Sequence, residues 1–186
     1  MYQPTQAGHH MHMTNNPTPA PKRGGAAGPV LWAATVTMGL TAGTFFAFST
    51  GTMPGLAKDD DHTFVVAMQA INDKIQNPAF FAVFFGTFFL SIAAVIMQYR
   101  RGRRGAAAWA LGGLALYFVG LAITIGVNIP LNDALAAVDP ARTADLAAAR
   151  ANFEGPWDAA NNIRTLVCTA ALICLARAMT LHGRAK

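Results

Sequence analysis

Amide and charged side chains lie at the ends of long apolar runs in this sequence. The run AAAWALGGLALYFVGLAITIGV leads into NIPLND, which places Asn128, Asn132 and Asp133 around a proline. A later run, NNIRTLVCTAALICLARAMTL, begins with Asn161 and reaches Arg164 within one helical turn. Amides donate and accept hydrogen bonds, and an arginine is permanently charged. Because unpaired polar groups are costly among apolar ones, we expect these side chains to meet in one polar pocket.

The depth of Arg164 in the membrane makes this hypothesis more specific. Arg164 and Arg177 are 13 residues apart. That separation is about 20 Å along a helix, whereas membrane hydrocarbon is about 30 Å thick. Arg177 can extend to the near surface, so we expect Arg164 to point inward, with Asp133 or Asp158 as its partner. An ionisable residue inside a membrane bundle is a functional candidate; the alternative is a structural ion pair that orders the loops.

The elements that must position these residues are apolar helices. The sequence is 53% hydrophobic and 12% charged, well below the about 25% of charged residues in soluble domains. Four runs, at roughly 29–53, 78–99, 106–128 and 160–181, have the length and composition of membrane spans. The first run is longer than the core of a signal peptide, so we expect a retained span. We predict an all-α, integral membrane four-helix bundle over residues 29–182, after a disordered tail over 1–28.

The charges orient this bundle. Nine of the positive charges and none of the acids fall on the side that holds the tail, the 100–105 connection and the C-terminus. The other side holds five positive charges and all nine acids. The positive-inside rule then predicts cytoplasmic N- and C-termini in the plasma (inner) membrane of a bacterium. Membrane orientation thereby explains the excess of basic residues, and we expect no nucleic acid as a partner.

The two outer connections are predicted to carry helices of their own. After KDDDH, Phe64, Met68, Ile71 and Ile75 recur at helical spacing, which predicts a short amphipathic helix at the outer surface. Asp61 is its expected N-cap, and a metal site in the DDDH cluster is the alternative. Residues 129–159 should be partly helical. Pro54 and Gly55 are expected to end the first span, and Pro130 the third, with Asn132 and Asp133 suiting an N-cap.

Several polar residues should therefore share one depth on the outer side. Gln69 and Asn72 come from the surface helix, and Trp157 precedes the fourth span. No metal is expected in the bundle, because no histidine falls within a span and Cys168 and Cys174 diverge on one helix. In the tail, the run HHMHM over residues 9–13 could ligate copper or could simply be unstructured.

Four segments, in order, carry a family likeness. GTFFAFSTGTMPGLA, AMQAINDKIQNPAFFAVFFGTFFL, NIPLNDALA and WDAANNIRT resemble the anthrone oxygenase-like family of small four-span membrane proteins, from about residue 30 to 181. Many bacterial members are known only as a domain of unknown function. The matching positions are Met68, Gln69, Asn72, Asn77, Pro78, Asn128, Pro130, Asn132, Trp157, Asn161 and Arg164. Ala160 stands where the family often has a second tryptophan, which implies a different or smaller substrate.

The resemblance implies an oxygenase that oxidises a lipophilic aromatic molecule, anthrone- or hydroquinone-like, with dioxygen and without flavin, haem or another cofactor. Asn72, Asn128, Asn161 and Arg164 would stabilise an enolate oxygen, and Asp133 would take the proton. Met68, Gln69, Asn132 and Trp157 complete the expected substrate site. The alternative is a non-catalytic bundle that packs in a larger membrane complex or with a second copy of itself. A small-molecule transporter is disfavoured, since the spans show no inverted repeat.

Overall fold

The computed structural model describes residues 25–184, and nearly all of them are helical. The predicted tail over 1–28 thus lies almost wholly outside the described residues, and so does its HHMHM run. The helices are α1 (Ala27–Ala47), α2 (Met53–Leu56), α3 (Asp61–Ile75), α4 (Pro78–Arg100), α5 (Arg104–Ile123), α6 (Ile129–Ala136) and α7 (Thr143–Arg184). Two π-helical segments, Phe48–Thr52 and Thr124–Asn128, join α1 to α2 and α5 to α6.

Four of the continuous helical stretches are long and apolar enough to cross a membrane. They cover Ala27–Leu56, Pro78–Arg100, Arg104–Ala136 and Ala144–Arg184. In the bundle α1 packs against α4 and α7, and α5 packs against the same two helices. Large apolar side chains such as Trp32, Leu166 and Ile173 face outward, as a lipid environment requires. The predicted all-α membrane four-helix bundle is confirmed.

Glycine brings α5 and α7 close together. A Cβ at Gly113 would lie 3.1 Å from the carbonyl oxygen of Ala171 and 3.2 Å from Leu175 Cγ. One at Gly120 would lie 3.2 Å from Cys168 Sγ. Lipid tails give helices no hydrophobic reason to associate, so close backbone packing of this kind stabilises a membrane bundle. The same close approach sets the position of Arg164, which lies one helical turn before Cys168 on α7.

The prolines do not end the first and third spans, contrary to the sequence expectation. Each π segment ends two residues before a proline, Pro54 or Pro130, and helix continues to Leu56 and Ala136. Proline removes a backbone donor and crowds the carbonyl four residues earlier. A wider turn, in which Met53 N–H bonds to Phe48 O and Ile129 N–H to Thr124 O, accommodates it. Asn132 and Asp133 consequently lie within α6 and cap nothing.

Helices α2, α3 and α6, with the N-terminal part of α7, form a lid over one end of the bundle. Phe64, Val65 and Met68 of α3 are buried in a cluster with side chains of α2, α6 and α7. The N-cap of α3 is Asp60, one residue before the predicted Asp61, because Thr63 N–H donates to Asp60 Oδ1 at 3.0 Å. Asp61 instead accepts from Arg150 Nη1 at 3.2 Å. The amphipathic helix exists, and its apolar face packs on protein.

Candidate functional site

A cavity of about 480 Å³ lies beneath this lid, between the four long helices. Its end nearest α3 is polar, and its deeper wall is apolar. The polar lining residues include Asn72, Gln76, Thr124, Asn128, Asn132, Asp133, Trp157, Asn161 and Arg164. Seven of the nine residues predicted for the site from the sequence are therefore brought together around one space. Pockets of about 300–1,000 Å³ commonly hold small molecules.

Arg164 lies at the boundary between the polar and apolar parts. It is only 5% exposed, and its guanidinium packs 4.3 Å from the centre of the Phe45 ring and 5.5 Å from that of Trp157. Nη1 donates to Thr124 Oγ1 at 3.2 Å, and Nη2 donates to Asn161 Oδ1 at 2.9 Å. Nε has no hydrogen-bond partner. Cation–π contacts and neutral acceptors thus surround this charge.

The expected carboxylate partner is absent from this arrangement. Within residues 25–184, neither Asp133 nor Asp158 forms an ion pair with Arg164. Asp133 lines the cavity but is exposed at its rim. A buried guanidinium without a counter-charge is costly, so this site favours a ligand that brings negative charge or develops it.

Asn161 holds the arginine in place. It is 1% exposed, its Oδ1 accepts from Arg164, and its Nδ2 donates to Phe45 O at 3.0 Å and to Ser49 Oγ at 2.8 Å. Both amide N–H groups are engaged with α1 and the first π segment. The sequence expectation that Asn161 donates to a substrate oxygen therefore needs correction: its geometry makes it a positioning residue.

Asn128 presents an acceptor to the site. It closes the second π segment and is 1% exposed. Its Nδ2 lies 3.5 Å from the carbonyl oxygen of Trp157, a long contact, and its Oδ1 has no partner. Turning the amide over would set oxygen against that carbonyl, so the free oxygen is the consistent assignment. The free oxygen of Asn128 therefore suits a ligand hydroxyl, and its expected role as a donor to an oxyanion stays a prediction.

The remaining polar lining residues also differ in whether their side-chain atoms have hydrogen-bond partners. Trp157 Nε1 donates to Asn132 Oδ1 at 2.8 Å, which ties α7 to α6. Asn72 of α3 has a buried Nδ2 without a partner. Three side-chain atoms around the cavity are therefore buried and unpaired: the donors Arg164 Nε and Asn72 Nδ2, and the acceptor Asn128 Oδ1. Buried polar atoms are normally satisfied, so unpaired ones around one cavity point to a bound ligand.

Two predicted substrate residues do not line the cavity. Met68 is fully buried in the apolar cluster within the lid. Gln69 Nε2 donates to the carbonyl oxygens of Leu135 and Val138 at 2.8 and 2.9 Å, which fastens α3 to α6. Both therefore support the lid, and their predicted contact with substrate has no counterpart in this geometry.

Phenylalanines form most of the apolar wall, a role the sequence reasoning missed. Phe80, Phe84 and Phe88 lie one turn apart on α4, as do Phe81, Phe85 and Phe89, and all six line the cavity. The pairs at spacing four in PAFFAVFFGTFFL were the available signal. Phe80 and Phe84 stack with ring centres 5.4 Å apart. In a membrane span, however, such a stripe fits lipid contact equally well.

No group of three or more His, Cys, Asp or Glu side chains in the described part of the chain is arranged to hold a metal ion. The alternative reading of the DDDH cluster therefore gains no support there. The two cysteines, Cys168 and Cys174, are free.

The fold and cavity define a class: a helical membrane protein with a mainly aromatic cavity between its four long helices. The family model of anthrone oxygenase matches residues 79–174, slightly more than half of the chain, and the protein belongs to that family. The match includes the α4 phenylalanines, Asn128, Trp157, Asn161 and Arg164, whereas α1 and α3 lie outside it. No curated protein and no solved structure matches the chain.

Proposed function

We propose that this protein oxidises an anthrone-like aromatic molecule with dioxygen inside the cavity. Membership of the anthrone oxygenase family supports the reaction class. The observation that carries the proposal is Arg164, a buried guanidinium without a carboxylate partner, facing an aromatic cavity. A substrate that becomes an anion during the reaction would supply the missing negative charge at that point.

The reaction suits such an environment. Loss of a proton from the central carbon of an anthrone gives an electron-rich enolate, which reduces dioxygen and forms a carbon–oxygen bond at that carbon. The peroxide anion formed takes up one proton, in place of the proton lost from carbon, and the resulting hydroperoxide loses water to give the anthraquinone. One anthrone and one dioxygen thereby yield one anthraquinone and one water, so no external reductant is required. The protein needs to favour the enolate and exclude bulk water.

The lining residues suggest a division of roles. Arg164 Nε and Asn72 Nδ2 are free donors for the enolate oxygen, while Asn161 and Thr124 hold the guanidinium in position. Asn128 Oδ1 would accept from a substrate hydroxyl. Asp133, on the rim, is the carboxylate available to remove the proton and pass it to water. The phenylalanine wall would contact the rings and keep water out.

Dioxygen consumption by the purified protein with anthrone tests this proposal. Arg164→Gln should lower turnover by about 10²-fold or more, as expected for the loss of a preorganised group that stabilises an oxyanion. Arg177→Gln is the matched control, because it removes an exposed arginine from the same helix. Helical content and thermal stability of both variants should be measured alongside.

Equal turnover in a folded Arg164→Gln variant and the wild type would contradict the assigned role. A folded wild type that oxidises no anthrone or hydroquinone, and that purifies with a larger membrane complex, would favour the non-catalytic alternative.

A further inference from the structure

The cavity opens through the side of the bundle, between α4 and α5. Five of its apolar lining residues are also on the outer surface, and the three most exposed are Phe85 at 51%, Phe89 at 64% and Ile125 at 66%. A side chain that lines a cavity and is largely exposed marks the place where that cavity reaches the surface. We call the gap between these three residues the lateral opening.

The lateral opening lies at the depth of membrane hydrocarbon. Phe89 is 11 residues after the first residue of α4, about 16 Å along the helix axis. Hydrocarbon is about 30 Å thick, so this position lies well inside it. The apolar 18-residue window of α4 has a mean hydropathy of 2.4, the highest of the four spanning stretches. Acyl chains, and not water, would therefore meet the lateral opening.

The opposite end is closed by the lid, apart from a polar rim. Gln69 fastens α3 to the carbonyls of Leu135 and Val138, and Trp157 bonds to Asn132. The exposed polar lining residues at that end are Gln76 and Asp133. This rim suits water and protons better than a wide apolar molecule.

We propose that the substrate enters from the lipid bilayer through the lateral opening, as an uncharged, planar aromatic molecule dissolved in the membrane. This inference rests on the proposed function and adds a route and a substrate class to it. The neutral molecule reaches the phenylalanine wall without leaving an apolar environment. It becomes charged only beside Arg164, and the proton it gives up, like the one the peroxide takes up, is exchanged with water at the Asp133 rim. An aromatic of equal size with a fixed charge would be excluded, because charges are costly in hydrocarbon.

Binding kinetics in reconstituted full-length protein test the route independently of turnover. Trp32 and Trp109 are replaced by Phe, so that the emission of Trp157 in the cavity reports binding of anthraquinone as a quencher. Proteoliposomes are mixed with vesicles that carry anthraquinone or, separately, with aqueous anthraquinone-2-sulfonate. Ile125→Phe narrows the lateral opening, and Gln76→Phe narrows the polar rim. Val119→Phe is the matched control, since it adds the same side chain to the outer face of α5 away from the cavity.

We expect Ile125→Phe to slow anthraquinone association by about tenfold, within the range that variants of one site span, with the final extent of quenching unchanged. Gln76→Phe and Val119→Phe should bind at the wild-type rate, and the sulfonate should quench little. Slower binding in Gln76→Phe alone, or equal rates in all variants, would overturn the lateral route and leave the proposed function standing. Absence of anthraquinone quenching in the wild-type cavity would overturn the route together with the proposed ligand.

Discussion

At the scale of single residues, the site depends on how the charge of Arg164 is compensated. Aromatic faces and neutral oxygen acceptors surround the guanidinium, and the nearest side-chain acceptor on its own helix is Asn161 Oδ1. Neutral acceptors orient the arginine without cancelling its charge, which stays available to a ligand. A carboxylate at the same position would orient it equally well and would neutralise it. We therefore propose that the amide at position 161 keeps the charge of Arg164 available for function.

Asn161→Asp tests this argument directly. The new carboxylate should pair with Arg164, and its second oxygen would replace the Nδ2 donor to Phe45 O and Ser49 Oγ. We expect anthrone-dependent dioxygen consumption to fall by about 10²-fold, the effect of losing one oxyanion-stabilising group. Thermal stability should fall as well, since two buried acceptors lose their donor.

The control is Asn162→Asp, which makes the same change at the exposed neighbouring position. It should retain wild-type turnover. Undiminished activity in a folded Asn161→Asp variant would show that the free charge of Arg164 is not what the reaction uses.

At the scale of elements, the lid depends on how α3 begins. Thr63 donates to Asp60 through its backbone N–H at 3.0 Å and through its hydroxyl at 2.8 Å. These bonds, the backbone one foremost, hold the pKa of the Asp60 carboxyl below its ordinary value of 3.8. A carboxyl group with a lowered pKa in the folded state stabilises that state above the unfolded pKa. The contribution disappears as the pH falls through the folded pKa.

Hydrogen exchange of the α3 amides should therefore lose protection in the wild type as the pH falls from about 5 to about 2. Asn caps helices about as well as Asp and does not titrate. The Asp60→Asn variant should keep α3 protection nearly constant over the same range, after correction for intrinsic exchange rates. An equal pH dependence in both proteins would place the titrating group elsewhere.

The sequence predicted the elements well, and their junctions less well. Length and hydropathy specify the spans, and helical spacing specifies α3. Three consecutive aspartates, however, offer equivalent caps, and only tertiary contact with Arg150 distinguishes Asp61 from Asp60. Proline likewise permits either a helix end or a wider turn, and the local sequence does not distinguish them. The π segments before Pro54 and Pro130 could therefore not be predicted from the sequence.

The site was predictable to a similar extent. Polar residues inside apolar runs stood out, so Asn128, Asn161 and Arg164 were found from type and position alone. What each amide does with its donors and acceptors depends on which backbone carbonyls face it, as Phe45 O and Trp157 O do here. No sequence pattern encodes that geometry. The assumed ion pair with Asp133 failed for the same reason, because depth along a helix says nothing of distance across the bundle.

At the scale of the whole molecule, the orientation in the membrane decides where the lid faces. In the sequence, the segments on the lid side contain all nine acids and five basic residues, whereas the two terminal segments and the 100–105 connection contain nine basic residues and no acid. Basic residues in short connections are retained in the cytoplasm. We therefore predict that the lid, the polar rim and Asp133 face away from the cytoplasm, and that both termini lie within it.

Cysteine labelling of intact cells with a membrane-impermeant maleimide tests this orientation. Asp59→Cys places a thiol at an exposed position beside the lid without disturbing the Asp60 cap. Gly183→Cys places one near the end of α7, where an added Cβ meets nothing within 4 Å. The first variant should react in intact cells, and the second only after the membrane is permeabilised. The native Cys168 and Cys174 lie within the span of α7, so the parent protein should stay unlabelled and serves as the background control. The reverse pattern would turn the lid, the polar rim and Asp133 toward the cytoplasm.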